Sequence, residues 1–294
     1  MPVFEWLKAV LYGMVEGITE WLPVSSTGHL ILFAQRLPFR FSQNPAFLEA
    51  YWELFEVVIQ LGAVLAVVVL FFGRLFPFGK GKSRGEKQTA LRLWGKVLLA
   101  SLPAAFVGVF GDRLLENMTG KDLDGWFYHA PVVAAMLILY GVAFLFLEGL
   151  RKRRNPKIET TGELSPRTAF CIGLFQVLSL IPGTSRSGST ILGALLLGVS
   201  RSAAAEFSFF LAIPVMLGAG GVKTVGFFEK MGEMGITMPP QGWLILLIGT
   251  LVSFLVSLLV IRLLTDFVKK HTLILFGVYR ILLGAVVLIR YWAK

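Results

Sequence analysis

Residues 55–72, 132–147, 244–261 and 273–289 are apolar almost without interruption. Each run approaches the ~17–25 residues that a helix needs to cross a bilayer. A soluble reading of the 294 residues is therefore excluded. With 55% hydrophobic residues and a mean hydropathy of +0.73, the chain is expected to be an all-α integral membrane protein. The net charge of +10 is no nucleic-acid footprint, because the basic residues cluster between the apolar runs. The single cysteine, Cys171, excludes an intrachain disulfide and a cysteine-rich metal site. Glu16 and Glu20 interrupt the first apolar region and no small-residue cleavage site is evident, so a signal peptide is not expected.

Breaks at Gly, Pro and charge clusters divide the chain into a short apolar pair, 3–22 and 25–36, then spans at 51–72, 94–111 and 130–149. A second short pair, 166–181 and 186–199, precedes spans at 203–228, 242–264 and 272–291. Polar turns interrupt both short pairs, as expected of re-entrant hairpins, since irregular backbone at membrane depth survives only inside protein or beside a cavity. Shifting the first pair by 160 residues aligns Gly13 with Gly173, Glu16 with Gln176, Ser25 with Ser185 and Gly28 with Gly188. Two repeats are expected, 1–150 and 151–294, each a hairpin plus three spans within one membrane domain. Three spans is an odd number, so the repeats should insert with opposite orientation.

Loop charge orients this arrangement. Residues 73–96 carry Arg74, Lys80, Lys82, Arg84, Lys87, Arg92 and Lys96 against Glu86 alone. Residues 151–167 carry Arg151, Lys152, Arg153, Arg154, Lys157 and Arg167. The 112–124 loop holds Asp112, Glu116, Asp122 and Asp124 against Arg113 and Lys121. The bias toward positive cytoplasmic loops places 73–96, 151–167 and 265–271 inside, and the loops near 40, 120 and 235 outside.

Ionisable side chains at membrane depth mark functional sites. Glu16 and Glu20 share a helix face at i, i+4, where two like charges call for a divalent cation, an arginine or a shared proton. His29 can act as acid or base near neutral pH. Ser25, Ser26 and Thr27 offer hydroxyls that either cap the next helix or, with a positioned base, attack a substrate. Arg186 lies among Gly183, Thr184, Ser185, Ser187, Gly188 and Thr190 at the start of an apolar helix. Its guanidinium and the turn's backbone N–H groups suit a phosphate, and an ion pair with Glu16 or Glu20 is its structural alternative.

These two motifs, Glu16-Gly-Ile-Thr-Glu20-Trp-Leu-Pro-Val-Ser-Ser-Thr-Gly-His29 and Pro182-Gly-Thr-Ser-Arg186-Ser-Gly-Ser-Thr190, resemble the undecaprenyl-diphosphate phosphatase (bacitracin-resistance) family. Ser208-Phe-Phe-Leu-Ala-Ile-Pro214 and the span order extend the resemblance over essentially the whole chain. It implies an enzyme of the bacterial inner membrane that hydrolyses undecaprenyl diphosphate and recycles the lipid carrier for cell-wall synthesis. The resemblance also implies a divalent cation; Glu16 and Glu20 would bind it as Mg²⁺ or Ca²⁺, or else activate the nucleophile. Glu16, Glu20, Ser26, His29 and Arg186 become the candidate catalytic residues, Ser26 or a water being the nucleophile. The two turns would bind substrate through Ser25, Thr27, Gly183, Thr184, Ser185, Ser187, Gly188 and Thr190. The expected partners are a polyprenyl diphosphate and the membrane, with a homodimer left open and the site facing outward. An unrelated lipid phosphatase pattern, with a histidine six residues past a Ser-Arg, is disfavoured because Leu192 stands there. The alternative function is a polyprenyl-phosphate transporter, whose inverted repeats would look the same but which has no need of a base and hydroxyls beside the arginine.

Overall fold

The structure is a computed structural model that describes residues 2–79, 81–121, 123–151 and 155–292. Lys80, Asp122, Lys152, Arg153 and Arg154, counted above among the loop charges, lie outside the described residues. The chain is helical throughout: α1 (Pro2–Thr19), α2 (Ser26–Ala34), α3 (Pro45–Leu70), α4 (Phe72–Leu75) and α5 (Arg84–Phe106) come first. A π-helical turn, Val107–Gly111, joins α5 to α6 (Asp112–Thr119), and α7 (Leu123–Phe127) and α8 (Ala130–Arg151) complete the first half. The second half comprises α9 (Pro166–Val177), α10 (Arg186–Leu196), α11 (Arg201–Met234), α12 (Pro240–Lys270) and α13 (Ile274–Trp292). Among the described residues, six helical stretches are long and apolar enough to cross a membrane: α3, the continuous 84–119 stretch, α8, α11, α12 and α13. The protein is thus a multi-pass membrane protein.

Caps and kinks move several helix ends away from the edges of the apolar runs. The span expected at 94–111 belongs to a helical stretch that begins at Arg84. There Ser83 and Glu86 form a reciprocal capping box, the Glu86 carboxylate accepting from Ser83 N at 2.8 Å. Capping satisfies the first-turn amides regardless of hydropathy, so the helix runs out into polar sequence. Pro103 lies inside α5 and lacks the N–H its turn requires, and the π turn follows four residues later. In α1, Phe4, Leu7, Leu11, Met14 and Ile18 form an exposed apolar stripe, while Ala9, Tyr12 and Glu16 are buried. That inside-out distribution suits a helix facing lipid on one side and a polar interior on the other.

The short pairs α1–α2 and α9–α10 each turn back on themselves. Lys8 Nζ donates to Pro38 O at 2.6 Å and the Tyr12 hydroxyl to Leu37 O at 2.9 Å, so the two ends of the first pair lie together. The second pair ends near its own entrance, where Lys157 N donates to Gly198 O at 2.8 Å. Packing follows the 160-residue correspondence. α1 packs on α12 and α9 on α5, α3 packs on both α11 and α12, α5 on α11, and α8 on α13. A Cβ on Gly13 would meet Gly249 O at 2.5 Å, and one on Gly173 would meet Ala100 O at 2.2 Å. Glycine at both equivalent positions lets backbones touch, the usual basis of helix association in lipid.

The basic loops share one face. Arg74 pairs with Glu206 and donates to the Thr161 hydroxyl at 3.0 Å, joining 71–83 to 155–165. Thr265 and Lys269 at the end of α12 line a cleft with Arg74 and Glu159 on the same face.

Candidate active site

Both polar turns meet in the interior. Each ends in a serine with positive φ, Ser25 at 72° and Ser185 at 68°, in a region where a side chain is strained. Each serine also caps the following helix, its hydroxyl accepting from Gly28 N at 3.3 Å or Gly188 N at 3.1 Å. The strain thus recurs at equivalent positions, where it presents the next residue, Ser26 or Arg186, at the head of a helix.

Glu20 is the hub. Its Oε1 pairs with Arg186 Nη2 at 3.1 Å, and its Oε2 accepts from the Ser26 hydroxyl at 2.7 Å. Arg186 Nη1 donates to Ser208 O at 2.7 Å, and its guanidinium lies 5.9 Å from the Trp21 ring. These contacts hold the arginine on three sides. Glu20, Ser25, Ser26, Thr27, Gly183, Ser185 and Arg186 line one cavity of about 160 Å³, together with Gln60 and Ser179.

The other expected binding residues are engaged within the protein. The Thr184 hydroxyl donates to Ile181 O at 2.8 Å, and Ser187 bridges to Glu20 O at 3.1 Å. Thr190 bonds to Arg186 O at 3.0 Å and to the Ser208 hydroxyl at 2.8 Å, and Gly188 packs against Arg280. None of these four lines the cavity.

Glu16 is fully buried one turn before Glu20, and neither of its oxygens accepts a hydrogen bond. Glu20, Glu56 and Arg186 are the charged groups acting on it. Its counterpart Gln176 is equally buried and likewise without a partner. Among the described residues no three of His, Cys, Asp and Glu gather around one point, so protein ligands alone would not enclose a metal. Glu16's open acceptors beside Glu20 are the oxygen donors a divalent cation takes, and of the two only Glu20 lines the cavity.

His29 sits behind the first turn. Its Nδ1 is 2.7 Å from Ser25 O, and a carbonyl can only accept, so Nδ1 carries the proton. Nε2 then accepts from the Tyr279 hydroxyl at 2.6 Å. The Ser26 hydroxyl is bonded to Glu20 rather than to His29.

Two residues that sequence reasoning missed complete the site. Tyr279 orients His29, and the next residue, Arg280, ties both turns together. Arg280 is fully buried and donates to Pro23 O at 3.1 Å, Gly183 O at 2.7 Å and Thr184 O at 2.9 Å. Its guanidinium lies 5.2 Å from the Tyr140 ring. The signal was present: a lone arginine inside the apolar run 273–289 is costly unless it has interior work. Ser208, quoted above only as part of a pattern, is the dock for Arg186.

Residues 9–286 match the family described as Bacitracin resistance protein BacA. The undecaprenyl-diphosphatase of Streptococcus thermophilus is 49% identical over 97% of this chain and 93% of that protein. The undecaprenyl-diphosphatase of Streptococcus pyogenes serotype M3 is 47% identical over 98% of this chain and 97% of its own length. A family match spanning residues 9–286, with relatives 47–49% identical over nearly the whole chain, places this chain in the BacA bacitracin-resistance family.

Proposed function

We propose that this chain hydrolyses undecaprenyl diphosphate to undecaprenyl phosphate and inorganic phosphate, at the cavity between the two turns. The observation carrying this reading is the Glu20 carboxylate shared between the Ser26 hydroxyl and the Arg186 guanidinium. A phosphate seated on Arg186 would meet a hydroxyl already bonded to its base. Glu20 takes the Ser26 proton as Oγ bonds to the terminal phosphorus. The bridging P–O bond breaks and undecaprenyl phosphate leaves with the electron pair on oxygen. Water then hydrolyses the phosphoserine, releasing phosphate and restoring Ser26. Arg186 neutralises charge on the transferring group throughout. A divalent cation held by Glu16 and Glu20 would, when bound, draw charge from the same phosphate oxygens.

Stereochemistry at phosphorus tests the nucleophile. An isotopically labelled, chiral terminal thiophosphate, hydrolysed in labelled water, should be released with retention, from two successive inversions, and Ser26→Ala should lose about 10³-fold or more in kcat. Net inversion would show that water attacks directly and would remove Ser26 from the role.

His29 serves this chemistry by holding the strained Ser25 turn that presents Ser26, with Tyr279 holding the imidazole. Tyr279→Phe deletes one short hydrogen bond, worth roughly 1 kcal/mol. It should therefore lower kcat about fivefold to tenfold and leave KM near its starting value. An unchanged kcat would break the link from Tyr279 to the turn.

We further infer that 1–150 and 151–294 are inverted repeats, supported by the paired strained serines and the exchanged helix packing. The loop charges support an outward-opening site, and the family resemblance supports the bacterial inner membrane. In a Cys171→Ser background, a cysteine at Glu233 should react with an impermeant reagent in intact cells. Cysteines at Lys82 and Asn155 should react only after permeabilisation. Labelling of Lys82 from outside would reverse the orientation.

A further inference from the structure

The largest cavity described, about 490 Å³, is not the one between the turns. It opens on the basic-loop face, lined by Arg74, Lys82, Arg92, Lys96, Thr89 and Glu86 among others. Positive loops on one face of a membrane protein are ordinarily solvated orienting charges. Here the charges surround a hollow, and the way they are held sets them apart.

Lys82 Nζ donates to Gly73 O and to Phe76 O, the latter at 2.6 Å. Lys96 Nζ donates to Gly162 O at 2.8 Å and Thr161 O at 3.4 Å. Both ammonium groups are therefore positioned by neutral carbonyls, which fix them without cancelling their charge. Each keeps a third N–H to donate. Arg92 has no hydrogen-bond or ion-pair partner among the described residues. Of the acids nearby, Glu86 is occupied by the Ser83 cap and Glu206 by Arg74. Three cations thus converge on one hollow against a single lining carboxylate, Glu86, and the net positive charge that remains calls for a further counter-ion.

The rim indicates where that counter-ion comes from. Phe72, Phe76 and Phe78 are all exposed and pack ring to ring, with centroids 5.0 and 6.0 Å apart. Leu91 and Leu98 on α5 are exposed as well. An exposed phenylalanine cluster beside a basic cavity at the end of a spanning helix suits the boundary between headgroups and acyl chains. A soluble anion would have no use for that apolar border.

We propose that this cavity binds the phosphate of an anionic membrane lipid, with Lys82, Arg92 and Lys96 as its ligands and the Phe72–Phe76–Phe78 cluster against the acyl chains. Basic pockets between membrane helices hold anionic headgroups by the same chemistry. The site is on the face opposite the exit of α1–α2, and it requires nothing of the hydrolytic reaction.

Native mass spectrometry of the purified full chain in neutral detergent tests this. Phosphatidylglycerol, phosphatidylcholine and inorganic phosphate are titrated separately, and phosphate is also added against bound phosphatidylglycerol. Phosphatidylglycerol should bind more tightly than phosphatidylcholine. Each cation removed should weaken it roughly fivefold, from about 1 kcal/mol per charge. Arg92→Ala, whose side chain makes no hydrogen bond, gives the single step, and Lys82→Ala with Arg92→Ala gives about 30-fold. Arg84→Ala with Lys87→Ala removes two charges from the same segment but none from the cavity lining, and should change affinity less than twofold. Equal losses from the two double variants, or equal binding of the two lipids, would overturn the proposal in favour of diffuse loop charge. Inorganic phosphate that displaces the lipid with the same dependence on Arg92 would retain the phosphate site and overturn the lipid as its source.

Discussion

Replacing Arg186 with alanine should reduce phosphate release from undecaprenyl diphosphate by about 10³-fold or more, with the protein still extracted and folded. Two effects combine. Among the described residues the guanidinium is the only cation lining the cavity between the turns, so its loss removes transition-state stabilisation of about 3–4 kcal/mol. Glu20 also loses its ion-pair partner while nearly fully buried. A buried carboxylate without its counter-ion is costly, and it is no longer held against the Ser26 hydroxyl. Arg186→Lys keeps the charge but cannot reach Ser208 O and Glu20 with one planar fork, so it should recover only a small part. Steady-state kinetics with size-exclusion profiles as the folding control provides the check. Near-normal turnover in Arg186→Ala would remove the arginine from the site's chemistry.

The second large effect is expected on stability. Arg280→Met should lower the thermal unfolding temperature in detergent sharply and reduce the amount of folded protein recovered. Methionine fills much of the volume but leaves Pro23 O, Gly183 O and Thr184 O without their donor. Each buried acceptor left unpaired costs about 1–3 kcal/mol. Because those carbonyls belong to different turns, the turns should also separate and Ser187 should lose its grip on Glu20 O. Arg280→Lys retains charge with a single compact donor group and should fall between. A Met variant as stable as the parent would show that the turns hold together without the clamp. The two substitutions separate the arginines by role: one should abolish activity in a folded protein, the other should unfold the place where activity occurs.

Much of this was legible in the chain itself. Membrane class, six spans and two interrupted short pairs followed from apolar run length, because a bilayer's thickness imposes a length on any helix that crosses it. The pairing of Ser25 with Ser185 and of Gly13 with Gly173 was visible as a 160-residue shift, since backbone strain and close helix contact restrict residue type strongly. Glu20 and Arg186 stood out as candidates because buried charge is costly and therefore rare.

Tertiary structure alone decided what those residues do to one another. Glu20 and Arg186, 166 positions apart, meet only because the turn after α1 packs against the turn before α10. Spacing along the chain therefore did not reveal that Ser26 bonds to Glu20 while His29 bonds to Tyr279. It did not separate Ser185, which lines the cavity, from Ser187, whose hydroxyl binds the other turn. Arg280 makes the same point most clearly. In the sequence it is one charge in an apolar run, and only the packing of α13 beside both turns supplies the three carbonyls that make its burial stable. Local sequence determines which groups can tolerate the membrane interior; long-range packing determines which partner each one finds there, because hydrogen bonds in a dry interior are chosen by position rather than by order in the chain.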